Sequence, residues 1–359
     1  MLVEAAAASS GVVFAAAQTE LLARSTRLVA QALNDPALMP SLPRRLQAEA
    51  AAVAQATAGK VPAIVNTVIT PAAKAGTASG EASAKAAGGS VPWWVTLPAH
   101  QPNSAAKVAD DLTSELNAAA QRITRFADDA YKAATAEAAA RQVSGELVPK
   151  AAQQHAWRDL MGQGITGYTD TSGRNWNLAT YTEMAVRTAS ARAYRASQRE
   201  RMTLMGIVFF TISHTGRPCP LCAPWEGKVL GDMGEGMFQQ DGHTVNVAAT
   251  VEEAAAEGLF HPNCKHTLES FRPGTTLTTH TPWTAAQEAE YQNTQRLRAL
   301  ERQARAARTQ YANAITPADK AHARQRVSNA TAAIKAHTAQ TGLLRRPNRE
   351  HPNLGFQDG

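Results

Sequence analysis

The sequence predicts a mostly α protein with one small α+β zinc-containing domain. Long Ala-rich helices lie towards the N-terminus and a basic helical hairpin towards the C-terminus. Three observations carry this prediction. Alanine fills 74 of 359 positions while aromatic residues make up 6% and charged residues 18%; alanine is the strongest helix former yet buries only a methyl group. The window 201–275 holds only six alanines and all three cysteines. The net charge of +6 lies wholly in 276–359, where 12 Lys and Arg face 6 Asp and Glu. The expected divisions are therefore an Ala-rich helical region over 1–145, an α+β zinc-knuckle domain over 146–275, and a basic hairpin with a loose tail over 276–359.

The elements follow in order. Leu21, Leu22, Leu28, Val29 and Leu33 recur near helical spacing in the first 57 residues. Pro36, Pro40 and Pro43 interrupt them, so a second helix is expected over 44–57. The stretch 70–103 is rich in Gly, Ala, Ser and Pro and reads as a linker. It contains Trp93-Trp94, read as a local tuck against a neighbouring helix. Val108, Leu112, Leu116, Ile123, Phe126 and Tyr131 then predict one long helix over 104–142.

A hairpin is expected around 170–173, a helix over 178–205 stopped by Gly206, and a strand at 207–212. Thr250 three residues before Glu253 is a capping-box pattern that opens a small helix. An Arg-dense helix over 284–313 precedes Thr316-Pro317, which suit the cap and first position of a second helix. The two form an antiparallel hairpin closed by Gly342, with 345–359 expected to be loose.

The chemistry concentrates in Cys219-Pro-Leu-Cys222 and His261-Pro-Asn-Cys264-Lys-His266. A Cys-x-x-Cys pair brings two thiolates to one ion, and zinc takes four such donors in a tetrahedron. Cys264 and His266, two apart on an extended segment, point to one side and complete a Cys3His set; His261 with Cys264 is the alternative pair. For the nearby His214 and His243 an ordinary structural role is expected. The grouping of every cysteine with two histidines favours zinc and a reducing compartment.

Other classes lack their signatures. No run of about 18 apolar residues exists to span a membrane. The first nine residues have no positive leader region. No His-x-Glu accompanies the cysteines as in zinc deaminases, and no His-Glu-x-x-His occurs. Prolines inside and after Cys-x-x-Cys argue against a thioredoxin-like role. Gly231 to Gly236 is acidic and lacks the Lys-Ser/Thr ending of a phosphate loop.

The string Cys219-Pro-Leu-Cys222-Ala-Pro-Trp-Glu-Gly-Lys-Val229, followed by Gly258-Leu-Phe-His-Pro-Asn-Cys-Lys-His266, resembles the phage minor capsid protein 2 family, related to the MuF-like head proteins of tailed phages. In that family a Cys-Pro-x-Cys-x-x-x-x-Gly-Lys-Val segment precedes His-Pro-Asn-Cys-Arg-Cys/His. The helix bearing Tyr181 to Thr188 and the basic tail, including Arg345-Arg-Pro-Asn-Arg349, are similar to the family's. The resemblance covers about 146–350. Lys265 stands where Arg is more usual, and His266 where Cys is frequent, which exchanges one type of zinc ligand for another.

The resemblance implies a structural minor head protein of the virion, near the portal, with portal and capsid proteins as partners and a role in head assembly or DNA packaging and delivery. No enzymatic activity is expected. A non-specific contact of the basic hairpin with packaged DNA is the alternative; only Tyr291 and Tyr311 lie near its arginines to stack on bases. A zinc hydrolase using His261 or Glu226 as general base is the third reading.

Overall fold

The computed structural model describes residues 2–91, 103–144, 149–165, 168–169, 175–216, 218–277 and 283–352. As predicted, the chain is mainly helical, with one small five-stranded sheet. It divides into two compact units, one built from 9–62, 115–183 and 292–359, the other from 1–8, 63–114 and 184–291.

In the first unit, α1 (Leu2–Asn34) buries Phe14, Leu21, Leu22 and Val29. Asp35 ends it, accepting from the Ala37 N–H at 3.1 Å to cap a 3-10 turn, Pro36–Ser41. The α2 helix (Leu42–Ala58) follows, as the prolines predicted, and buries Leu42, Leu46 and Val53. Next in the chain come α3 (Val61–Ala86), described with the second unit, and α4 (Asn103–Arg122).

The long helix expected over 104–142 is two helices. A 3-10 turn, Ile123–Arg125, separates α4 from α5 (Phe126–Ser144). The Thr124 hydroxyl donates to the Gln121 carbonyl at 2.7 Å, and the Phe126 N–H reaches back only to Ile123. Ile123 at the start of the turn and Phe126 just after it are buried. The α2 helix packs on α5 and on this turn, and α5 packs on α6 (Pro149–Gln163). After α6, β1 (Tyr168–Thr169) and β2 (Asn175–Trp176) pair antiparallel, Tyr168 opposite Trp176. These are the arms of the predicted hairpin, whose tip lies outside the described residues.

The second unit contains most of α3, the later turns of α7 (Leu178–Leu204) and the sheet. Residues 70–86, expected to be linker, are helical. Gly76, Gly80 and Ala84 recur every fourth residue on one face of α3. A Cβ at Gly76 would lie 2.1 Å from the Tyr194 carbonyl oxygen, and one at Gly80 would lie 2.3 Å from that of Gln198. The glycines are thus what a close helix crossing requires. Gln198 Nε2 donates to Ser79 Oγ at 3.1 Å across the same contact. Trp93-Trp94 lie outside the described residues.

Five strands form the sheet in the order β5-β6-β4-β3-β7: β3 (Phe209–Ile212), β4 (Val229–Gly231), β5 (Gly236–Gln240), β6 (His243–Thr250) and β7 (Leu268–Ser270). Only β4 and β6 run parallel. Strand alternation splits the core. Phe210 and Ile212 join Met202, Met205, Trp225, Leu230, Leu259 and Leu268 on one side, whereas Phe209 joins Val229, Val245 and Val247 on the other. Cys222 and Cys264 belong to the first of these clusters. The predicted capping box opens α8 (Val251–Ala256): Glu253 N–H donates to Thr250 Oγ1 at 3.0 Å and Thr250 N–H to the Glu253 carboxylate at 2.8 Å.

The helical hairpin forms as predicted from α9 (Ala285–Ala312) and α10 (Pro317–Thr341). Thr316 caps α10, Pro317 is its first residue, and Gly342 ends it in the left-handed region at φ 69°, where a side chain is strained. Within the first unit, Leu297, Leu300 and Ala304 of α9 pack on Ala330 and Ile334 of α10. Asn313 ties α6 and α1 to the hairpin, its carbonyl accepting from Trp157 Nε1 at 3.2 Å and its side chain from the Thr26 hydroxyl at 3.1 Å. The described part of the tail is not loose. Glu350, 1% exposed, takes Arg345 Nε at 2.6 Å and Nη2 at 2.8 Å, and Arg308 Nε donates to its carbonyl at 3.0 Å. Burying a carboxylate between two guanidiniums fixes the segment through a 3-10 turn, Pro347–Glu350.

Candidate metal centre

The sheet topology brings the two motifs together. Strand β3 lies between β4 and β7 and is antiparallel to both. The end of β3 and the starts of β4 and β7 therefore share one edge. The β3–β4 connection carries His214, Cys219, Cys222 and Glu226, and the α8–β7 connection carries His261, Cys264 and His266. Ser213 and Thr267 clasp the two connections, with bonds of 2.9 Å and 3.0 Å.

Each motif has a local reason for its shape. The Cys219 carbonyl accepts from the Cys222 and Ala223 N–H groups at 3.1 and 2.9 Å, which curls the knuckle into the 3-10 turn Ala223–Trp225. In the second motif Cys264 N–H donates to the His261 carbonyl at 2.9 Å, and Asn263 sits at φ 66°. Asparagine tolerates that left-handed conformation better than most residues. Arg187 donates to its side chain at 3.0 Å.

All five residues singled out in the sequence gather here, in two groups that share Cys222. One is Cys219, Cys222 and His261; the other is Cys222, Cys264 and His266. The donor atoms within each group lie within 4.8 Å of one another. His261 Nε2 is 2.8 Å from Cys219 Sγ, Cys222 Sγ is 3.5 Å from Cys264 Sγ, and Cys264 Sγ is 3.4 Å from His266 Nδ1. Cys222, Cys264 and His266 are buried.

The electrostatics suit a cation. Hydrogen bonds from Cys222 and from His261 favour the Cys219 thiolate and hold its pKa at about 4 against the opposing effect of burial. Cys264 is likewise held at about 4, by Cys222 and His266. Cys222, bonded to both, is pushed strongly up. The bond to Cys219 raises His261. Burial lowers His266, but Cys264 and Glu226 outweigh it. Cys219 and Cys264 are thus arranged to give up their protons, which thiolate ligation of a metal requires, while Cys222, hydrogen-bonded to both, holds its own. Three sulfurs and two imidazole nitrogens fit a borderline-soft ion of the zinc type.

Sequence reasoning named Glu226 only as a candidate general base and gave His214 an ordinary structural role, missing their place behind the candidate ligands. Glu226 Oε1 is 2.8 Å from His266 Nε2 and accepts from the Thr215 N–H at 3.3 Å. Its Oε2 is 3.1 Å from His214 Nδ1. Burial raises the Glu226 pKa, but the bonds from His266, Thr215 and His214 bring it below the usual carboxylate range. His214 is therefore part of the site's surroundings, whereas His243 lies exposed on β6 beside Gly274. Arg195 is buried, donates to the His266 carbonyl at 3.4 Å and lies 4.5 Å above the Phe260 ring. No local pattern signals these pairings, because Glu226 and His266 lie 40 residues apart.

Among the described residues no helix is long and apolar enough to cross a membrane. No curated protein and no solved structure matches the chain. The family model for phage minor capsid protein 2, however, matches residues 42–339, so the match begins well before the motifs, and the chain belongs to the phage minor capsid protein 2 family.

Proposed function

We propose that this chain is a structural minor protein of a tailed-phage head, located in the virion at or near the portal vertex. There it contacts portal and capsid proteins and serves head assembly or DNA packaging and delivery. The family match over 42–339 is the observation that carries the reading. The Cys/His cluster holds zinc in a structural role, with Cys219, Cys222 and Cys264 as thiolate ligands and His266 or His261 completing the set. When bound, the ion supplies folding free energy by cross-linking two connections at one edge of the sheet. The chain divides its labour accordingly: 1–145 packs, 146–275 is stapled by metal, and 276–359 presents charge. Mass spectrometry of purified heads, with and without the portal, tests the location. Absence from heads, or retention in portal-free heads, overturns it. Zinc analysis of the purified protein tests the metal.

A second reading gives the C-terminal hairpin a non-specific contact with packaged DNA. It is favoured by the exposed Arg296, Arg302, Lys320, Arg324 and Lys335 on α9 and α10. Lys320 and Arg324 already lie 5.4 and 5.7 Å from the Tyr311 ring, which leaves it poorly placed to stack on bases. Affinity should then fall steeply with salt through counterion release; binding that ignores salt counts against this reading. A zinc hydrolase has the least support, because both Glu226 oxygens are engaged and its carboxylate sits at the His266 nitrogen farther from Cys264.

A further inference from the structure

We propose that Glu226 is a positioning residue that makes His266, through Nδ1, the nitrogen ligand of the metal centre in preference to His261. The inference rests on the zinc reading above and goes beyond it by choosing between the two histidines.

The two rings are held differently. His266 is fixed from both ends: Nε2 is 2.8 Å from a buried carboxylate, and its main-chain carbonyl accepts from buried Arg195. The carboxylate is itself held by the Thr215 N–H and by His214. With Nε2–H donating to Glu226, the lone pair on Nδ1 faces the sulfurs, 3.4 Å from Cys264. A carboxylate behind a metal-binding imidazole sets its tautomer, locks its orientation and makes it a stronger donor. His261 has only a local support, the carbonyl of the adjoining Pro262 at 2.8 Å from Nδ1. It is also less buried than His266. A neutral carbonyl on a turn gives less of each effect than a buried carboxylate.

Charge fits three thiolates completed by either imidazole. Three thiolates around a dication leave one net negative charge. Arg195 is a buried cation with no carboxylate partner among the described residues, and it donates to the His266 carbonyl at 3.4 Å. Arg195 thus compensates a three-thiolate centre completed by a neutral imidazole.

The test uses full-length, zinc-loaded protein. Chelator competition measures zinc affinity for the wild type, Glu226→Gln, His266→Ala and His261→Ala, with circular dichroism confirming that each variant folds. Glu226→Gln should weaken zinc about 10–100-fold. His266→Ala should weaken it at least as much, and His261→Ala, which removes the bond to Cys219, should weaken it clearly less than either. Unchanged affinity in Glu226→Gln, or loss in His261→Ala equal to that in His266→Ala, overturns the proposal. Long-range ¹H–¹⁵N correlation spectra of the wild type need no variant. They should show metal on His266 Nδ1 with Nε2 protonated; metal on His266 Nε2 or on His261 overturns it. Wild-type protein that carries no zinc refutes the zinc reading itself, a result distinct from all of these.

Discussion

Two regions of this chain solve the problem of a thin core in different ways. The unit containing α1, α2, α5 and α6 is alanine-rich, and its large buried side chains are spread over several helices: Phe14, Leu21, Leu46, Leu116 and Phe126. Helices satisfy their own main chain, so modest burial plus good capping suffices. The window 201–275 has short strands, of three residues in β4 and β7, and long connections between them. Such connections have no ladder to hold them. There the chain places its three cysteines and four of its ten histidines, with Glu226 buried against His266. The candidate metal ligands are concentrated on the connections between these short strands.

The strongest way to break this comparison is Cys222→Ser. Cys222 is fully buried and common to both candidate ligand groups. Structural zinc contributes about 10–16 kcal/mol in small zinc-dependent folds. Metal content should fall to none, and the α8–β7 connection should lose hydrogen-exchange protection while α9 and α10 keep theirs. Chelation of the wild type should do the same. Equal loss of protection in both regions would show that the metal supports the whole molecule.

Leu116→Ala probes the other side. It should destabilise the protein by about 2–5 kcal/mol without changing zinc stoichiometry, as read by urea unfolding and metal analysis. Gly80→Ala tests the close crossing of α3 and α7; a new methyl against the Gln198 carbonyl should cost roughly 1–3 kcal/mol. A neutral result would mean that the crossing relaxes easily. The smallest effects belong to the caps: Thr250→Ala and Thr316→Ala should each cost about 1 kcal/mol, seen as a small drop in Tm. Thr250→Ala should lose part of its effect once metal holds the neighbouring connection.

Much of this was legible from local chemistry. Pro36 to Pro43 separated α1 from α2, Thr316-Pro317 and Gly342 bounded α10, and Thr250 with Glu253 announced α8. The donor types were legible because sulfur and imidazole at close spacing have few other uses. The misreadings share a cause. Gly76 and Gly80 have the composition of a linker, yet they are small because Tyr194 and Gln198, over a hundred residues away, pass close by. Arg345 and Glu350 look like charged tail, yet they become a clasp once Arg308 joins them. A 3-10 turn at Ile123–Arg125 divides a helix whose hydrophobic spacing runs on without a gap.

The sequence by itself determined the helices with their caps, the alanine-poor window and the identity of the candidate donors, because propensity, capping and ligand softness act within a few residues of the chain. Only tertiary structure decided that β3 would lie between β4 and β7, so that Cys219 and Cys222 meet Cys264 and both histidines at one sheet edge. Only it placed Glu226 behind His266 and Arg195 beside the sulfurs. Those pairings depend on strand order and on burial, which lowers the local dielectric and forces each polar group to find a partner; neither is written in local spacing.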